Sequence, residues 1–125
     1  MYVTGLVVEM SNDQISLVEK LADRTARGKI IWEEHPRKGT FQTPFGEYVV
    51  TIEEIELQDE PGLIVIEVTV YNADGIALER FTDTTISSGE KNYYETMTKL
   101  YESARRNALG TDKAMKEILM RLDQL

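Results

Sequence analysis

An α+β fold is predicted by three features of this 125-residue chain. A helical pattern of apolar residues precedes Gly28, apolar segments of period two fill the middle, and two further helical patterns follow Asn92. Together they predict an N-terminal helix, an antiparallel β meander and two C-terminal helices packed on one sheet face, in a single domain spanning 1–125. Each partner in such a layer covers the other's apolar side.

The first helix is expected from Ser11, because Ser11 and Gln14 have the spacing of a capping box. Ile15, Val18, Leu21, Ala22 and Thr25 then share one side at about 100° per residue, and Gly28 supplies a left-handed stop. Tyr2 to Val8, rich in β-branched and apolar residues, reads as a short strand before it. Lys29-Ile30-Ile31-Trp32 reads as a strand as well, broken by the loop His35-Pro36-Arg37-Lys38-Gly39.

Phe41 to Thr43 is expected to be extended and Pro44-Phe45-Gly46 to turn. Tyr48, Val50 and Ile52 then alternate with Val49, Thr51 and Glu53. The period is expected to slip at Glu53-Glu54, where a bulge or a strand end is predicted. Asp59-Glu60-Pro61-Gly62 is a turn. Leu63 to Tyr71 follows as a strand with Ile64, Ile66, Val68 and Val70 on its core face. Asn72-Ala73-Asp74-Gly75 has hairpin-turn chemistry and leads into a strand over Ile76 to Thr84.

Ser87-Ser88-Gly89-Glu90-Lys91 introduces the helical third. Tyr93, Met97, Leu100, Tyr101, Ala104 and Ala108 form one arc of a long helix that stops at Gly110. Thr111-Asp112 is expected to cap a second, shorter helix lined by Met115, Ile118, Leu119 and Leu122.

The segments Gly28-Lys29-Ile30-Ile31-Trp32-Glu33, Thr40-Phe41-Gln42-Thr43 and Leu100-Tyr101-Glu102-Ser103-Ala104-Arg105-Arg106-Asn107-Ala108-Leu109-Gly110 carry a resemblance. The chain resembles short uncharacterised bacterial and phage single-domain proteins with a Gly-Lys-Ile-x-Trp segment and a C-terminal Ala-Arg-Arg-x-Ala-Leu-Gly helix. The resemblance implies a bacterial or phage source and brings no activity and no site residue with it.

Charge is segregated. Glu47 to Asp83 holds ten acidic residues against Arg80 alone, net −9, while the remainder is nearly neutral and the whole chain is −8. That balance argues against general nucleic-acid binding and against anionic lipid. No apolar run approaches a membrane span, and there is no cysteine to form a disulfide, a thiolate nucleophile or a zinc site. A cytoplasmic location is expected, since the first residues lack a secretory pattern.

No catalytic motif stands out, so the chain is expected not to be an enzyme. His35, the only histidine, has no nucleophile elbow to serve, and with Glu33 and Glu34 it lacks the spacing of a metal site. No metal and no cofactor are expected. Glu53, Glu54 and Glu56 read first as the wet margin of a strand, where charge also discourages edge-to-edge pairing. Their functional reading is an acidic surface that docks a protein with a basic surface.

The alternative is an oligomer that binds an anionic small molecule, such as a nucleotide signal, between its copies through Arg37, Lys38, Ser87, Ser88, Lys91, Tyr101 and Arg105. A hydrolase using carboxylates is the third reading. Arg106 is assigned to Glu102 as an i,i+4 partner. The aromatic residues are assigned to packing, and the terminal helix either folds back or pairs with another copy, a two-fold homodimer being the favoured oligomer.

Overall fold

The computed structural model describes residues 2–88 and 91–125, and the side chains from Asp13 onward within them. Gly89 and Glu90, in the expected lead to the long helix, lie outside the described residues, as does the side chain of Ser11. The described chain runs α1 (Tyr2–Ala26), β1 (Glu33–Glu34), β2 (Thr40–Phe45), β3 (Tyr48–Glu56), β4 (Ile64–Tyr71) and β5 (Ala77–Thr82). It then forms α2 (Asp83–Ile86), α3 (Tyr94–Leu109) and α4 (Thr111–Asp123).

The predicted α+β class is the one observed: an N-terminal helix, an antiparallel sheet in the order β1-β2-β3-β4-β5, and a C-terminal helix pair. Register decides which residues share a face. Phe41, Ile52, Val68 and Phe81 lie opposite one another across four strands, and Thr43, Val50 and Val70 form the next row. This face meets Val18 and Leu21 of α1 and Met97, Leu100, Tyr101 and Ala104 of α3. Each fully buried aliphatic side chain contributes about 1.5–3 kcal/mol, so this seam holds the helices to the sheet.

Local expectations were corrected in several places. Tyr2 to Val8 is helical, continuous with α1, and the helix does not begin at Ser11. A short apolar run fits either period, and here the longer helical pattern downstream prevails. Gly28 does terminate α1, with φ +72 and the Lys29 amide donating to the Arg24 carbonyl. Lys29–Trp32 is not a strand. Pairing begins only at Glu33, because the Trp32 amide donates to the Asn107 side chain instead of a ladder, while Ile30 and Trp32 are buried in the core.

β2 carries on through Pro44 and Phe45, and the turn is the pair Gly46-Glu47, with Gly46 at φ +62. β3 keeps its register through Glu56 with no slip at Glu53-Glu54. The irregularity lies instead between Val70 and Tyr71, where β4 meets β5. The Asn72 turn forms as predicted, its side-chain oxygen accepting from the Asp74 and Ile76 amides. The last predicted strand ends at Thr82, whose hydroxyl caps α2 in a capping box with Thr85. Gly110, at φ +67, both ends α3 and precedes α4. Thr111 lies inside α4, which has no side-chain cap.

Candidate functional site

The turn between β1 and β2 is held against α3 by a few bonds. The His35 amide donates to the Thr40 carbonyl and the Thr40 amide to the Arg37 carbonyl, which tightens the loop read from Pro36 and Gly39. Gly39 adopts φ +82, and its carbonyl accepts a 2.8 Å hydrogen bond from the Tyr101 hydroxyl. The Tyr101 ring lies 5.6 Å from that of Phe41, tilted by 55°. A side chain of α3 thereby reaches the turn across 62 residues of sequence.

Between turn and helix lies a cavity of about 220 Å³ lined by Glu34, His35, Lys38, Gly39, Thr40, Phe41, Tyr101, Arg105 and Leu109. Phe41, Tyr101 and Leu109 form its apolar part; Lys38 and Arg105 bring positive charge, and Glu34 one negative. Arg105 is half exposed and stands 3.9 Å from Glu102, a loose contact that leaves its donors open to water. His35 Nδ1 accepts the Arg37 amide at 2.9 Å, which places the proton of the neutral ring on Nε2. Burial, with Glu54 adding to it, pushes the Tyr101 phenol above its ordinary range, so it remains a hydrogen-bond donor.

The structure thus brings Lys38, Tyr101 and Arg105 together and separates them from the other basic-set residues. Arg37 turns to the opposite sheet face, where it meets Glu53 at 3.2 Å and donates to Thr40 Oγ1. Ser87, Ser88 and Lys91 belong to the approach to α3. Ser87 donates to the Asp83 carbonyl and accepts from the Tyr93 amide. Ser88 Oγ accepts the Lys91 amide, and Lys91 Nζ lies 5.1 Å from the centre of the Tyr93 ring. The Tyr93 side chain raises the Lys91 ammonium above its ordinary value.

The acidic trio divides as strand alternation requires. Glu53 lies on the face away from α1 and α3, accepting from Thr40 and Arg37. Glu54 and Glu56 are exposed on the other face, and Glu56 accepts the Gly62 amide. Three residues were missed by sequence reasoning. His35 is half-buried at the cavity rather than a free loop residue, and Glu67 with Arg80 forms an ion pair at 3.6 Å beside Glu53. Only the register, Glu53 opposite Glu67 and Thr69 opposite Arg80, could have revealed the second group. Arg106 pairs with Asp112 across Gly110, not with Glu102, because the left-handed glycine brings the start of α4 back toward it.

A different feature stands out on α4. Met115, Ile118, Leu119, Met120 and Leu122 are between 48% and 62% exposed, and no residue of this helix is buried. α4 lies against α3, with Arg106 of α3 paired to Asp112 at the start of α4. Among the described residues no group of acids and histidines could hold a metal ion, and no helix is long and apolar enough to cross a membrane. Comparison with protein-family models, curated proteins and solved structures finds no match to this chain.

Proposed function

We propose that this protein is a binding protein that occupies a protein partner, with α4 as the docking element. The observation that supports this is the unburied stripe of Met115, Ile118, Leu119 and Leu122. These positions have the i, i+3, i+4, i+7 spacing by which an amphipathic helix seats in an apolar groove. The charged residues of α4, Asp112, Lys113, Lys116, Glu117, Arg121 and Asp123, are balanced in sign. Anchoring therefore falls to the apolar stripe.

The net charge of −8 acts at longer range. It raises the encounter rate with a partner whose surface is basic and discriminates against acidic ones. A second copy of the chain, joined through α4 about a two-fold axis, is the other occupant that the stripe fits.

Native mass spectrometry of the protein purified from its source cells tests the proposal. The wild type is expected to carry a partner, and Ile118→Glu with Leu122→Glu to weaken that complex about 100-fold or more, since each anchor contributes about 1.5–3 kcal/mol. A species of twice the chain mass would identify the partner as a second copy. A wild type that carries nothing, or a double variant that binds undiminished, overturns the reading.

A further inference from the structure

We infer that the cavity between the β1–β2 turn and α3 is a binding site for a small organic monoanion with a flat apolar body. This goes beyond the docking role of α4 and rests on different residues. The charge set is the first argument. In a chain of net −8, Lys38 and Arg105 meet at one cavity that His35 also lines. Among the described residues Lys38 makes no ion pair, and the contact of Arg105 with Glu102 is too long for a hydrogen bond.

The remaining wall supplies the second argument. Phe41 and Tyr101, nearly buried and tilted against each other, form an apolar floor and Leu109 is exposed beside it, so a flat hydrocarbon can lie on this side while its charged end reaches the basic residues. The Tyr101 hydroxyl is already committed to the Gly39 carbonyl, so it fixes the wall and the turn and does not compete for the anion. Size selects among anions. At about 220 Å³ the cavity is smaller than the roughly 300–1,000 Å³ that encloses a drug-sized ligand. A nucleotide exceeds it. A carboxylate on a single ring or a short branched chain fits the arrangement, and Glu34 in the lining disfavours a second negative charge.

Benzoate is the probe, with benzamide as its uncharged counterpart and inorganic phosphate as the charge without the ring. Titration is followed through the backbone amides of Lys38, Gly39 and Arg105 by NMR. Benzoate is expected to give saturable shifts there, and Lys38→Ala and Arg105→Ala each to weaken it about tenfold or more, the loss of one charged hydrogen bond. Lys91→Ala is expected to leave binding unchanged, and benzamide to bind at least tenfold more weakly than benzoate. Absence of saturable benzoate shifts, equal binding of benzamide, undiminished binding in both variants, or a site that takes phosphate in place of benzoate overturns the inference. The α4 variants leave this site intact, so its failure is distinct from failure of the docking proposal.

Discussion

Glu53 and Glu67 lie directly opposite each other on β3 and β4, on the sheet face turned away from α1 and α3, and each is flanked by its own arginine. Both carboxylates are only 15% exposed. Opposed like charges destabilise a strand pair by up to about 1 kcal/mol, so Arg37 and Arg80 hold together an arrangement that the two acids alone would disfavour. The pairs are unequal. Glu53 also accepts from Thr40, whereas Arg80 is 3.6 Å from Glu67, whose carboxyl is raised above its ordinary value by burial, against the pull of Arg80 and with the repulsion of Glu53.

The sign of the pH effect follows. With a raised value in the folded state, folded Glu67 binds more protons than unfolded Glu67 between its ordinary and raised values. Stability therefore falls as pH climbs through that window and stays lower above it. Glu67→Gln removes the cost, so its unfolding free energy relative to wild type is expected to increase from pH 4 to pH 7, by less than about 1 kcal/mol. Urea unfolding at the two pH values measures this. A variant that loses ground as pH rises would contradict the role given to burial and to Glu53.

Asp83 joins the strand edge to the start of α2. Its buried carboxylate accepts the Ile66 amide at 2.8 Å, at a point where β5 has ended and cannot supply a ladder carbonyl. Asp83→Ala leaves that N–H buried without an acceptor, and a loss of about 1.5–3 kcal/mol is expected. Asp83→Asn keeps an oxygen in place and should lose less. Amide exchange at Ile66 distinguishes this from a general weakening, because it should accelerate in the alanine variant beyond what the change in global stability accounts for.

The sheet was legible where one side chain in two is apolar and the turn chemistry is explicit, as from Ile66 through the Asn72 turn to Phe81, whereas Ile64, expected on the core face, is exposed at the start of β4. Helix α3 was legible because its arc and its terminating Gly110 agree. What could not be read were relations fixed by distant partners. Trp32 leaves the strand ladder because Asn107 lies beside it, and Arg37 leaves the basic set because register places Glu53 within reach. The acidic run looked like one surface for a similar reason: sequence adjacency conceals the alternation that sends Glu53 to one face and Glu54 to the other. The cavity combines a turn and a helix 62 residues apart at Gly39 and Tyr101, so composition could suggest Lys38 and Arg105 as a pair without showing His35 beside them.

Trp32 ties the first helix, the start of the sheet and the last long helix together. Its amide donates to Asn107 Oδ1 at 2.6 Å and its indole Nε1 to Thr25 Oγ1 at 3.0 Å, while the ring is buried in the core. The segments around Trp32 and Asn107 therefore meet in space, and the bond between them is structural. Asn107→Ala removes the acceptor without disturbing the ring, and a loss of about 1–2 kcal/mol is expected. Asn107→Asp retains an acceptor oxygen and should cost less. Thr25→Val leaves the indole N–H without its partner and should cost a similar amount to Asn107→Ala. Trp32 is the only tryptophan, so its fluorescence reports on both changes. If the two bonds fix Trp32 as a unit, the double variant Asn107→Ala, Thr25→Val departs from the sum of the single losses by at least about 0.5 kcal/mol. Strict additivity in chemical denaturation would show that the amide and the indole are held independently.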